Sequence, residues 1–572
     1  MSFLPVLAAL LLIPAAFAER VEIGLLVTTD LHGYLYPHDY FTGRPADRGL
    51  AKIATLIRQE RARTPNVLLV DCGDTIQGSP LEGVHQHWMR TGKLPAGMKA
   101  EGRPPAADPM MAAMSRLGFD AMAVGNHEYN FGFRNFEAAR KDANFPWISA
   151  NTQVSGGIRP LAAYIVKTVG GVKVAIIGLT TPAVPTWEKP EHIRGIRFTD
   201  GVAAVESALA ELKAKHKPDV VVVAAHAGLD RDLRTGAVRE GETGFENMVW
   251  QVANKVPGVD AIVFGHTHQQ LEQATVNGVL LHQPKNWGIS LGRVDFALER
   301  ESGGGRWKVV SKSAKLLPVT RDTAADEEIM AVAKPYHELT ERYLNTPVAE
   351  SKEATDGTLG RVMDSALVDA IQRVQLAASK ADVSLTALFN PRVRVPKGPV
   401  TVREIASLYI YDNELYAIDG TGKMLREALE NAARFFQSCK TDACEGPLIN
   451  RQFIGFNYDM AQGVEYEIDL TQPAGSRVRN LRYRGKPLDD AQPLRIALND
   501  YRSGGSGGYT MFRGAKVVWK SGDTIRDLII DYYTEQKALP AAADQSWRIV
   551  PDAARRTLEA EARAEAGRIT NQ

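Results

Sequence analysis

The chain has 572 residues, 44% of them hydrophobic and 24% charged, and 68 Lys plus Arg against 67 Asp plus Glu leave a net charge of +1. That length exceeds what one hydrophobic core serves, so two or more domains are expected. The balanced charge gives no electrostatic case for a nucleic-acid polymer or an anionic membrane as partner, so an anionic substrate would have to be held locally, by metal ions or a few Arg side chains.

The chain opens with an apolar run, Pro5 to Ala18, that ends in Ala16-Phe17-Ala18 before the charged Glu19-Arg20. This is the apolar core and small-residue cleavage pattern of a secretory signal peptide, although no basic residue precedes it. About 14 apolar residues fall short of the ~20 that span a bilayer. The expectation is export to a periplasmic or extracellular space with residues 1–18 removed, and no membrane span elsewhere.

Five short apolar runs follow: Gly24–Gly33, Asn66–Gly78, Ala121–Asn130, Val221–Gly228 and Ala261–His268. Their β-branched and small residues over so few positions predict buried strands. Each run breaks off into Asp, His or Asn. Ligands of open α/β sheets bind beyond the carboxyl ends of the strands. Strand ends of one sheet should therefore bring Asp30, His32, Asp74, Asn126, His226, His266 and His268 to one site. Helical patterns at Gly49–Arg63 and Gly201–His216 alternate with these runs, and the α/β region extends to about Leu316.

A charged helical stretch, Asp326–Leu344, reads as a connector. A second, α+β region then carries helices at Arg361–Ser379 and Gly422–Phe436, with strands through Leu498. Cys439 and Cys444 sit close together in a polar loop where a small disulfide is plausible. Cys72 reads as a small buried hydrophobe. The Ala-, Arg- and Glu-rich tail predicts a solvated helix.

An isolated His-x-His or Asp-x-His is a weak signal; seven N and O donors at strand ends are a strong one. Carboxylate, imidazole and amide together suit Mn, Zn, Fe or Co rather than a thiolate site. Seven donors exceed the needs of one catalytic ion, so two divalent metal ions sharing a ligand are expected, ~3.5–4 Å apart.

The series DLH, GDTIQG, GNHE, HAG and GHTH, in that order between about Val21 and Leu316, resembles the calcineurin-type metallophosphoesterase domain of the 5′-nucleotidase family. The resemblance implies an α/β metallophosphoesterase domain, a β-sandwich flanked by helices, over 19–320. It further implies a linker helix over 321–351 that permits domain rotation, an α+β nucleotide-binding domain over 352–536, and a tail over 537–572. Position by position it implies Asp30, His32, Asp74 and His268 around one ion. Asp74, Asn126, His226 and His266 surround the other, so that Asp74 bridges. His127 matches the family's catalytic histidine, beside Asn126. A cationic imidazole over the phosphate would stabilise the transition state or protonate the leaving oxygen.

One position departs from many members of the family. Asn130 stands where an Asp pairs with the catalytic histidine, and Asn cannot stabilise an imidazolium as a carboxylate does. The GNHEYN variant resembles the periplasmic 2′,3′-cyclic-nucleotide 2′-phosphodiesterase/3′-nucleotidase branch. In the second domain the resemblance assigns Asn390 and Arg394 to a phosphate-and-ribose loop. It assigns Tyr458 and Tyr501 to two rings that clamp the base, each stack contributing roughly 1–3 kcal/mol. The expected partner is a nucleotide, with no obligate protein partner. A 5′-nucleotidase or nucleotide-sugar hydrolase is the alternative, and a thiosulfohydrolase-like enzyme a distant one. The remaining histidines, His38, His85, His87, His192, His216, His282 and His337, read as packing or surface residues, with His38, which follows the first ligand loop, also a candidate for lining the cleft.

Overall fold

The computed structural model describes residues 19–569 apart from 96–103, 157–159, 240–243, 302–303 and 412. The expected signal peptide lies outside the described residues. No described helix is long and apolar enough to cross a membrane. The chain divides into two compact units, one of residues 19–37, 47–77 and 106–334, the other of 38–46, 78–95, 104–105 and 335–569. The division falls inside the helix Glu327–Leu344, at its internal Pro335.

The first unit holds two six-stranded sheets. In chain order its strands are β1 (Glu19–Thr28), β2 (Val67–Asp71), β3 (Ala121–Ala123), β4 (Trp147–Ile148), β5 (Tyr164–Val169), β6 (Val172–Thr180), β7 (Val220–His226), β8 (Ala261–Phe264), β9 (Leu271–Val276), β10 (Val279–Gln283), β11 (Ser290–Arg300) and β12 (Lys308–Pro318). One sheet runs β12-β11-β1-β2-β3-β4 and the other β9-β10-β8-β7-β6-β5. The strands that carry the motifs are parallel within each sheet.

Period-2 alternation shows why two sheets form. Ile23, Leu25 and Val27 of β1 point inward against Val220, Val222 and Ala224 of β7, in a core shared by both sheets. The alternate residues face outward: Leu26 and Leu69 pack under the helix Leu50–Arg63, and Val221 and Val223 under the helix Gly201–Lys215. Buried Leu50, Ile53 and Ile57 on the first of these helices each contribute roughly 1.5–3 kcal/mol by leaving water. The expectation of a single sheet is therefore corrected. The five strand ends belong to a helix-flanked sandwich, three from one sheet and two from the other, because the runs are apolar on both faces and each face needs a partner layer.

The second unit centres on a five-stranded sheet ordered Asp459–Gln462, Val383–Ala387, Pro493–Asn499, Glu414–Thr421, Val517–Thr524, with helices Ala366–Ser379, Gly422–Ala433 and Ile525–Gln536. A four-stranded sheet, from Lys486–Pro487 through Val478–Tyr483 and Val464–Asp469 to Trp547–Val550, completes it. Cys439 and Cys444 form a disulfide, and Cys72 is buried and unpaired. The tail is a helix, Asp552–Ile569. Its Glu561 accepts hydrogen bonds from the backbone N–H groups of Leu448 (2.8 Å) and Ile449 (3.1 Å).

Candidate metal centre

The carboxyl ends of the two sheets are tied together by the functional residues themselves. His226, at the end of β7, donates from Nδ1 to the carbonyl of Cys72 after β2, at 2.7 Å. Asp30, after β1, accepts from the backbone N–H of His266 after β8, at 3.1 Å. The loops approach so closely that only glycine fits between them. A Cβ on Gly265 would lie 1.8 Å from Thr29 Oγ1, and one on Gly125 2.2 Å from Asp74 Oδ1.

Five of the seven expected ligands, Asp30, His32, Asp74, His266 and His268, lie at positive φ, between 48° and 76°. Non-glycine residues rarely adopt this left-handed region, and Asn, Asp and His are the side chains that tolerate it best. Such conformations persist where the surroundings over-determine them. Glu128 is one such determinant: its buried carboxylate accepts from the backbone N–H groups of Gly125 (2.7 Å), Asp74 (2.9 Å) and Thr75 (2.6 Å), so one side chain clamps two ligand loops.

The seven residues fall into two neighbouring clusters. Asp30, His32 and His268 offer donor atoms within 4.8 Å of one another, and so do Asp74, His226 and His266. His32 Nε2 lies 2.9 Å from His268 Nε2 and 3.9 Å from Asp74 Oδ2. His226 Nε2 lies 2.9 Å from Asp74 Oδ2 and 3.1 Å from Asn126 Oδ1. The outer partners fix which ring nitrogen faces inward. A carbonyl only accepts, so His32 donates Nδ1–H to Gln77 O (2.8 Å) as His226 does to Cys72 O, leaving each Nε2 aimed at the cluster. Glu246 likewise accepts from His266 Nε2 at 3.0 Å, which turns Nδ1 of that ring inward. The convergence of bare nitrogens and carboxylate oxygens fits a pair of divalent cations.

Electrostatics point the same way. Burial alone would raise the Asp74 carboxyl, but His226 and His127 hold it well below the carboxylate range. Burial opposes charging His226, yet the Asp74 carboxylate pushes it up to about 10. Burial and the neighbouring His268 drive His32 down to about 4, and Asp30, despite burial, is held at about 2 by His268. The buried carboxylates demand positive charge at this spot, and protons and metal ions compete to supply it.

His127 stands beside both clusters and contributes to neither. Its ring lies 5.3 Å from that of His32, and its Nε2 3.9 Å from Asp74 Oδ2. Its side chain is 36% exposed and its Nδ1 meets Asn130 Oδ1 at 2.5 Å. Behind Asn130 stands a carboxylate that gave no sign in the sequence: Asn130 Nδ2 donates to Glu188 at 2.7 Å, and His192 Nδ1 donates to the same carboxylate at 2.8 Å.

In the second unit the expected residues scatter. Asn390 spends its amide locally, donating to Ser407 O and accepting from Arg392 N–H. Arg394 is exposed on a two-residue strand, where, after the hydrogen bonds from Thr358, its charge adds to holding the Asp356 carboxyl below its usual range. Tyr501 is 41% exposed. Tyr458 is 1% exposed, stacked on Phe435 at 5.0 Å with Phe436 and Trp547 at its edges. It offers no ring face to a base, and the expectation placed on it is corrected. The open aromatics are Tyr411, 38% exposed, and the half-buried Phe456, with ring centroids 6.4 Å apart. Arg361 and Tyr501 both lie close enough to Tyr411 to act on its hydroxyl. Phe456 sits two residues before Tyr458 in the same motif, and Tyr411 lay in a segment with no sequence signal.

The family described as calcineurin-like phosphoesterase matches residues 23–270, and that described as the 5′-nucleotidase C-terminal domain matches 347–514. The chain belongs to the calcineurin-like phosphoesterases that carry a 5′-nucleotidase C-terminal domain. This makes it a metal-dependent hydrolase of phosphoric esters. A 2′,3′-cyclic-nucleotide 2′-phosphodiesterase/3′-nucleotidase of Haemophilus influenzae is 29% identical over 604 residues, covering 93% of this chain and 88% of that protein. A trifunctional nucleotide phosphoesterase of Bacillus subtilis is also 29% identical over 93% of this chain, which spans only 39% of that longer protein. Among solved structures, a 5′-nucleotidase precursor from Thermus thermophilus superposes with a TM-score of 0.60 at 25% identity, over 93% of this chain and 99% of that one.

Proposed function

We propose that this phosphoesterase is an exported two-metal hydrolase of small nucleotides, acting on 2′,3′-cyclic nucleotides and 3′-nucleotides. The observation that carries the reading is the pair of neighbouring donor clusters, His32 Nε2 of one lying 3.9 Å from Asp74 Oδ2 of the other, with His127 beside them and outside both. Asp30, His32, Asp74 and His268 would hold one ion, and Asp74, Asn126, His226 and His266 the other. When bound, two such ions lower the pKa of water and neutralise phosphoryl oxygens. The protein's own part is to fix the donors. Gln77 O, Cys72 O and Glu246 orient the imidazoles, and Glu128 locks the loops of Asp74 and Asn126. His127, part-exposed, is placed to donate a proton to the leaving oxygen or to stabilise its charge.

The choice of substrate rests on the named relatives, three of which are cyclic phosphodiesterase/3′-nucleotidases matched over more than nine-tenths of this chain. A base would stack on the exposed Tyr501 and Tyr411 and the half-buried Phe456. Planar platforms of this kind suit a nucleobase and count against the thiosulfohydrolase-like reading. The Cys439–Cys444 disulfide fits an oxidising compartment outside the cytosol. A 5′-nucleotidase is the second reading, favoured by the Thermus structure. Phosphate release with manganese from 2′,3′-cyclic AMP, 3′-AMP, 5′-AMP and a nucleotide sugar decides between them. The expected order places the first two substrates ahead, and preference for 5′-AMP overturns the proposal in favour of the second reading.

A further inference from the structure

Asn130 supplies the polar partner of His127, yet a carboxamide has two faces of nearly the same shape, one donor and one acceptor. Which face meets the histidine depends on what holds the other. Here the far face meets Glu188, whose Oε2 is 2.7 Å from Asn130 Nδ2. Glu188 is 7% exposed, caps the short helix Val184–Trp187, and takes hydrogen bonds from His192 Nδ1 and from the backbone N–H of Lys189, each at 2.8 Å. Burial favours its neutral form, but those donors with Asn130 hold its pKa below the usual carboxylate range. An ionised carboxylate can only accept. Asn130 must therefore turn its NH₂ to Glu188 and its oxygen to His127, and that oxygen requires a hydrogen on His127 Nδ1. The Nε2 of His127, on the Asp74 side, is then the nitrogen free to take up and deliver a proton. His192 completes the chain: its ring packs against Gly132, where a Cβ would come within 3.2 Å. His192, which the sequence left as a packing residue, thus gains a partner in the histidine's support.

We propose that Glu188 is a positioning residue for His127, acting through Asn130 by locking the amide so that His127 carries its hydrogen on Nδ1 and presents Nε2 to the reaction. The proposal rests on His127 being the proton-handling residue of the proposed function. It predicts a reciprocal rescue. In Glu188→Gln, the new amide keeps its oxygen toward His192 and turns its NH₂ toward Asn130. Asn130 flips, and His127 is forced into the other tautomer. In Asn130→Asp, two carboxylates face each other across 2.7 Å. The double variant Asn130→Asp/Glu188→Gln restores every donor–acceptor pair. Its carboxylate at position 130 accepts from both His127 and the amide at position 188, and the oxygen of that amide accepts from His192.

The test is a double-mutant cycle on the metal-loaded, full-length protein. It reads kcat and KM for a 2′,3′-cyclic nucleotide and for a generic diester with a poorly acidic leaving alcohol, methyl phenyl phosphate, together with thermal unfolding. Each single variant should lose about 100-fold in kcat with little change in KM, the scale of one acid–base contribution. The double variant should return to within about tenfold of wild type. Nitrogen-15 shifts of His127 in the Zn²⁺-loaded protein should show Nδ1–H in wild type and the double variant, and Nε2–H in Glu188→Gln. Wild-type kcat in Glu188→Gln, a double variant no better than the weaker single, or an unchanged tautomer in Glu188→Gln overturns the proposal. Failure of the proposed function reads differently. Wild type would then cleave the generic diester but no nucleotide, and the cycle would be scored on the diester. A wild type that cleaves neither substrate leaves the tautomer as the deciding measurement.

Discussion

The candidate metal centre and the aromatic group of the C-terminal unit pose opposite physical problems. Around Asp74 the donors are held in place: backbone carbonyls orient His32 and His226, Glu246 orients His266, Glu128 holds the loops, and five residues sit in left-handed conformations. Charge development at phosphorus is stabilised only by dipoles and ions already in place, so a small displacement there is costly. Tyr411 and Tyr501 are instead partly exposed and Phe456 half-buried, and Arg502 braces the Phe456 backbone and one face of Tyr501. That guanidinium is 1% exposed, grips Asp459 through two nitrogens at 2.8 and 3.0 Å, donates to Phe456 O at 2.6 Å, and lies under the rings of Tyr501 and Tyr509. Stacking tolerates small shifts because it depends on area and not on direction. One region is built to be exact in angle, the other only to be open.

This contrast is breakable at several strengths. Asp74→Ala removes the carboxylate proposed to serve both clusters, and turnover should fall by at least about a thousandfold, with bound metal lost in elemental analysis. Activity that survives this change ends the shared-ligand reading. Arg502→Ala leaves the buried Asp459 carboxylate without its partner and should cost roughly 3–5 kcal/mol of stability in denaturant titration, while metal content stays at the wild-type level. A change in metal content would show that the two regions are not separable in this way. Tyr501→Ala or Phe456→Ala should raise KM for nucleotides by about 5- to 150-fold, one stack's worth, and leave kcat nearly unaltered. A fall in kcat with KM unmoved would give these rings a catalytic task instead. Tyr458→Phe should do least: its hydroxyl is buried without a hydrogen-bond partner, so KM should hold and stability should stay level or rise slightly. A raised KM in that variant would show that the Tyr458 hydroxyl meets the nucleotide.

The sequence showed which residues the structure gathers into the two donor clusters. Asp, His and Asn at loop positions beyond apolar strands stand out against the strands that carry them. Helices at Leu50–Arg63 and Gly201–Lys215 were legible from their periodicity within a residue at either end. The split of the strands between two sheets was hidden, because runs buried on both faces look alike whichever layer they join. Glu188 and His192 were hidden for another reason. They reach Asn130 and Gly132 across some 60 positions of sequence, and a lone Glu after a Trp carries no local pattern. In the second unit the error was one of direction within a motif. Phe456 and Tyr458 lie two apart, and composition alone does not say which ring turns outward. That is settled by Phe435, Phe436 and Trp547, which enclose Tyr458 from distant parts of the chain.

The left-handed backbone at Asp30, His32, Asp74, His266 and His268 also limits how this centre can change over evolutionary time. A protein that swaps metals usually exchanges ligand side chains, yet at these five positions the backbone disfavours β-branched residues before coordination is even at issue. Asp, Asn, His and Gly are the residues that adopt it most readily, although Lys217, Trp287 and Arg484 reach the same region elsewhere in the chain. A lineage seeking a different ion would therefore vary the residues around the ligands, such as Glu246 behind His266, more readily than the ligands themselves.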